Sequence, residues 1–102
     1  MLREYKKVFI ILKIRENMLA ALQQELKNIA NPDKAKLLAK YFKTGPGEYG
    51  EGDVFLGIVV PEQRKLAKKY PELSLEELQK LLSSKIHEHR LVALLILVEQ
   101  YK

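Results

Sequence analysis

The chain contains no cysteine and no tryptophan. The first absence excludes a disulfide framework, a thiolate metal site and a cysteine nucleophile, and it fits a reducing cytoplasm. The second means that any platform for stacking nucleic-acid bases must be built from the five tyrosines and three phenylalanines. Long apolar runs are missing too. The longest, Leu91 to Val98, falls far short of the roughly 18 residues that cross a bilayer. The opening "MLREYKKVFIILKIREN" is basic and then apolar, but its uninterrupted run from Val8 to Leu12 is followed by Lys13 and Arg15 with no small-residue cleavage site. A soluble protein with neither signal peptide nor membrane span is expected. Glycine is scarce and confined: all five lie within "TGPGEYGEGDVFLG", residues 44–57.

What is present describes one globular unit. A chain of 102 residues is one domain's worth, and 47% apolar with 30% charged residues is an ordinary folded mixture. Lys and Arg outnumber Asp and Glu by 18 to 13, unevenly. Residues 1–43 hold ten basic and four acidic side chains, whereas 44–60 hold three acids and no base. Basic patches beside acidic ones point either to a polyanion held on one face or to solvated lysines.

From Met18 the spacing of Leu19, Leu22, Leu26 and Ile29 predicts an amphipathic helix. Asn31-Pro32 starts a second helix, running to about Phe42, with Asn as cap and Pro where a missing N–H costs nothing. The apolar stretch 54–60 has no second strand to pair with and reads as a packed linker. Pro61 opens a third helix through Tyr70. Ser74 and Glu77 form a capping box for a fourth, and Ser84 is placed to cap a fifth from about Lys85. In that last helix Leu91 to Val98 is apolar all round and demands cover on every side. The pattern predicts an all-α solenoid of paired helices whose final helix has nothing after it to stack on.

Few motifs carry chemistry. Gly45, Gly47 and Gly50 spell G-x-G-x-x-G, yet a helix precedes them and a linker follows. Pro46 removes an amide, and Glu48, Glu51 and Asp53 would repel phosphate, so this is no dinucleotide loop. The three acids also lack the order of a calcium loop and read as solvated loop residues. His87 and His89 stand about 200° apart on a helix and cannot share a metal ion; they read as ordinary first-turn residues. In the third helix Arg64, Lys65, Lys68 and Lys69 fall within an arc of about 140°, opposite Leu66, Ala67 and Tyr70. That basic face is either a solvated exterior or a phosphate contact.

The segments "NPDKAKLLAKYFK", "FLGIVVPEQRKLAKKY" and "SSKIHEHRLVALLIL" resemble the AlkD-like DNA alkylation repair proteins, over Met18 to Lys102. The resemblance implies a HEAT-like solenoid with a basic concave face on alkylated duplex DNA. It also implies excision of N3- and N7-alkylated purines by glycosidic-bond hydrolysis, with no metal or cofactor. It assigns Tyr41 to the aromatic cleft around the lesion. The family's catalytic Asp and two cleft tryptophans have no counterpart here, and the family is about twice this length. The chain therefore reads as an N-terminal portion, residues 18–102, with residues 1–17 as an extension and no catalytic residue of its own. Lys43, Arg64, Lys65, Lys68 and Lys69 are the candidate DNA contacts, and self-association is expected through the uncovered last helix. A non-enzymatic helical module binding nucleic acid or protein is the alternative.

Overall fold

The computed structural model describes residues 2–48 and 50–102, with the side chains of residues 2 and 11–16 outside that description. The described residues form five α-helices: α1 (Leu2–Asn28), α2 (Pro32–Tyr41), α3 (Val60–Lys69), α4 (Leu75–Leu82) and α5 (His87–Gln100). Among them there is no strand, only one isolated parallel bridge between Val54 and Ile86. The fold is all-α.

Local chemistry accounts for most helix ends. The Asn31 side chain accepts from the Lys34 amide and Pro32 occupies the first turn of α2. At α4, Ser74 accepts from the Glu77 amide while the Glu77 carboxylate reaches back to the Ser74 amide, completing the expected box. Two expectations fail. The first helix starts at Leu2 rather than Met18, so the N-terminal extension is its continuation. The fifth starts at His87, with Ile86 as an N-cap that makes no side-chain cap bond. Ser84 does not cap it, because residues 85–87 are held by backbone pairing to Val54. The Val54 amide donates to Lys85 O at 2.9 Å and the His87 amide to Val54 O at 2.8 Å. The Ser84 hydroxyl accepts from the Ile86 amide and meets His89 Nδ1 at 3.1 Å.

The core is the space between the second half of α1 and helices α3, α4 and α5. Leu22, Leu26, Leu66, Ala67, Leu78, Leu81, Val92, Ala93 and Ile96 are all buried there. Leu73 and Ile58 close it from the connections. Burying such side chains contributes about 1.5–3 kcal/mol each before the chain-ordering cost is charged. The all-round apolar helix is covered on one side only: Val92 and Ile96 are fully buried, whereas Leu94 and Val98 are half-exposed. α2 contributes no buried residue at all.

The linker 54–58 fastens α2 to this core. The Asn31 amide donates to Leu56 O at 2.7 Å. Gly57, at φ +80°, lies so close beneath the start of α2 that a Cβ there would stand 2.2 Å from Asn31 O. Both the left-handed backbone and the contact require glycine. The remainder of the glycine stretch folds back on the end of α2, with the Gly50 amide on Lys43 O at 2.8 Å.

Candidate functional site

The chemistry-bearing side chains gather where α2 ends, the linker passes and α5 begins. Tyr41, the last residue of α2, is 78% exposed and meets the ring of Phe42 edge-on at 5.1 Å. Phe42 stacks on Phe55 at 5.3 Å and on His87 at 5.9 Å, and Phe55 and His87 stack at 4.7 Å. These three rings form a wall whose free edge carries Tyr41. Below it runs an apolar groove of about 460 Å³, with Leu38, Val60, Pro61 and Leu91 among its walls and Lys34 at its rim.

A buried carboxylate holds the wall in place. Glu88 is 1% exposed. Its Oε1 accepts from the Leu56 amide at 2.9 Å, and its Oε2 accepts from the amides of Gly57 at 2.9 Å and Ile58 at 3.3 Å. Three backbone donors satisfy a carboxylate that burial would otherwise penalise heavily. From the other side, Gln63 donates its Nε2 to Ile58 O at 2.8 Å. Arg90 ties the α2–α3 connection to the α4–α5 connection, bonding Asp53 at 2.9 Å and Ser84 O at 2.7 Å. Asp53 is thus an ion-pair partner and not a free loop acid. His89 is largely buried beside Glu88; burial holds its pKa below the usual histidine value, with the Glu88 charge acting in the opposite direction.

The basic candidates divide into three groups. Lys43 follows α2 in a left-handed conformation, φ 53°, and is exposed. Lys36 and Lys40 precede it at helical spacing, and no ion pair of these three lysines occurs among the described residues. On α3, Lys65 pairs with Glu62 at 3.4 Å and Lys69 with Glu25 at 3.0 Å. Glu25 also accepts from the Tyr70 hydroxyl. Those bonds, from Tyr70 first and then Lys69, keep the Glu25 carboxyl below its usual range. The Tyr70 phenol is pushed up to about 12 by desolvation and then by Glu25. Arg64 and Lys68, without ion pairs among the described residues, line a separate groove with Leu95, Val98, Glu99 and Lys102 of the last helix and its end. The arc seen in sequence is real, but it is divided between two grooves and half of its charge is partnered.

Sequence reasoning names Tyr41 and Lys43 as site candidates and does not name Phe42, Phe55, His87 or Glu88 as such. With a shared metal excluded by geometry, "HEH" reads as ordinary first-turn residues. Glu88 stands in a polar first turn, His87 to Arg90, where an acid is ordinarily placed by the helix dipole, so the sequence carried no signal of its burial. Among the described residues no group of three or more His, Asp or Glu is placed to hold a metal ion, and no helix is long and apolar enough to cross a membrane.

A family model described as DNA alkylation repair enzyme matches residues 22–102. Comparison with curated proteins and with solved structures gave no match.

Proposed function

The chain belongs to the DNA alkylation repair enzyme family, and from that membership we propose that it forms the DNA-gripping part of a base-excision glycosylase acting on N3- and N7-alkylated purines in duplex DNA. Tyr41 carries the reading. Its ring is held out to solvent, 78% exposed, at the edge of a wall of stacked rings. A rigid aromatic in that position can lean on a cationic alkylated base, a contact that attracts because the ring face is electron-rich. Lys36 and Lys40 on the same helix, and Lys43 just past its end, can take the flanking phosphates.

Hydrolysis of the glycosidic bond also needs a fixed negative charge beside the developing sugar cation. Two acids close to the aromatic wall are committed elsewhere, Glu88 to three amides and Asp53 to Arg90. We therefore assign binding to these residues and the catalytic carboxylate to further helical repeats of the HEAT-like solenoid. Such repeats would stack on Leu94 and Val98, the open side of α5. By itself the chain then acts as a non-enzymatic DNA-binding module in a reducing cytoplasm.

The test is binding to alkylated duplex DNA as a function of salt, with base release measured in the same preparation. Engagement of about three phosphates gives a slope near −3 in log affinity against log salt. Replacing Lys40 and Lys43 with Gln should flatten it by up to about 2, whereas the same change at Lys65 and Lys69, already paired, should flatten it by less than about 1. Tyr41→Ala should remove any preference for alkylated over unmodified DNA without changing the slope. No release of 3-methyladenine above the spontaneous rate is expected. An equal or larger slope change at Lys65 and Lys69 would move the contact to α3, and clear base release would place a catalytic acid within this chain.

A further inference from the structure

We propose that the groove beside α2 receives the first half of α1 from a second copy of this chain. α1 is one helix of 27 residues, about 40 Å long, in a molecule 56 Å long and 26 Å across. Its second half is buried through Leu22 and Leu26. Val8 lies in line with Leu26, eighteen residues or about five whole turns earlier, and Tyr5 lies on the same side. Yet Val8 is 55% and Tyr5 74% exposed. One face of one helix is core at one end and open to water at the other. A helical stretch exposed along residues 3–10 is marginal in water.

The groove is apolar and includes Lys34 in its lining. Its walls are Leu38, Phe42, Phe55, Val60 and Leu91, and its volume is about 460 Å³. Lys34 stands at its rim, while the loop that begins just after Phe42 carries Glu48 and Glu51. The open half of α1 matches both signs. Glu4, one turn before Val8 on the same stripe, meets Lys34, and Arg3, Lys6 and Lys7 on its flanks meet the acidic loop. A continuous helix cannot bend back into its own groove without a Pro or Gly kink, and α1 has neither residue. The helix therefore comes from another molecule, and a two-fold arrangement lets each copy fill the other's groove. Tyr41 is not part of the groove, so the DNA-facing ring stays free in the dimer.

The absence of cysteine makes the test direct. Chains carrying Val8→Cys and chains carrying Leu38→Cys are mixed and oxidised mildly, with sedimentation of the parent protein alongside. A dimer is expected, with the mixed disulfide between positions 8 and 38 forming in preference to either like pair; Val60→Cys is the second reporter should Leu38→Cys disturb folding. Val8→Glu should weaken the dimer by about tenfold or more with unchanged thermal unfolding of the monomer. Glu4→Lys should weaken it too and be rescued by Lys34→Glu. A parent protein that sediments as a monomer at high concentration overturns the proposal. So does preferential cross-linking between the two copies of position 8, which would mean that α1 pairs with α1. A dimer cross-linked instead through Leu94→Cys would overturn it as well and assign association to the open face of α5.

Discussion

Helices α2 and α3 are each ten residues long, begin with a proline in the first turn and carry three lysines, but the fold uses them in opposite ways. α3 buries Gln63, Leu66 and Ala67, and two of its lysines are matched by Glu62 and Glu25. α2 buries nothing, and its lysines have no ion pairs among the described residues. One helix holds the structure together and the other is held out by it. Composition alone does not separate a core helix from a display helix; the difference is whether apolar residues recur opposite the charges and find a partner. In α3 they do, against α1 and α5. In α2 the apolar residues Leu37 and Tyr41 point to water, 69% and 78% exposed.

The comparison is broken most sharply at Glu88, because the linker that fastens α2 depends on it. Glu88→Ala should cost about 3–5 kcal/mol, since it leaves buried amides of residues 56–58 without acceptors. Chemical denaturation measures the loss. Hydrogen exchange should show α2 losing protection before α3 and α5, and uniform loss in all three would mean that Glu88 supports the whole core and not the tether. Next in size, Leu66→Ala in α3 should cost about 2–4 kcal/mol through the cavity it leaves, whereas Leu37→Ala in α2 should stay within about 0.5 kcal/mol. Similar losses for the two would remove the distinction between the helices.

The smallest effect is on pH. Because the folded His89 has a depressed pKa, the native state disfavours its protonated form. The stability it contributes is present above the unfolded value of about 6.5 and is lost as pH falls through the folded value. Glu25 adds a second loss at more acid pH, since its depressed carboxyl contributes stability that disappears as pH falls below its ordinary range. Tyr70 acts at the other end: its raised phenol contributes stability that fades between about 10 and about 12. Melting temperatures between pH 7 and 5 should fall in the parent and fall less in His89→Asn. An identical decline in both would show that another group governs the acid limb.

Helix starts governed by neighbouring residues were legible in the sequence. Asn31-Pro32 and the Ser74–Glu77 box need only a span of three or four residues, and both occur as read. The start of α5 was misread because its true boundary is set by Val54, more than thirty residues away, pairing with Lys85 and His87. Tyr41 came from family resemblance, and its neighbours Phe42, Phe55 and His87 did not, because stacking across three segments leaves no periodic trace. The arc of Arg64, Lys65, Lys68 and Lys69 is correct as helix geometry, but the pairing of Lys69 was not legible, since its partner Glu25 is 44 residues away.

By itself the sequence determined the helical class, the composition of the core stripe and the turns, because periodicity and capping are local and act through bonds spanning a few residues. It also determined that α5 is too apolar to stand alone. Only the tertiary structure decided which lysines stay unpaired, which acid is spent on backbone amides and which ring is left facing water. Those outcomes depend on which groups meet within hydrogen-bond distance after the chain has closed over thirty or more residues. A buried carboxylate such as Glu88 is tolerable only once its three amide donors have been delivered to it.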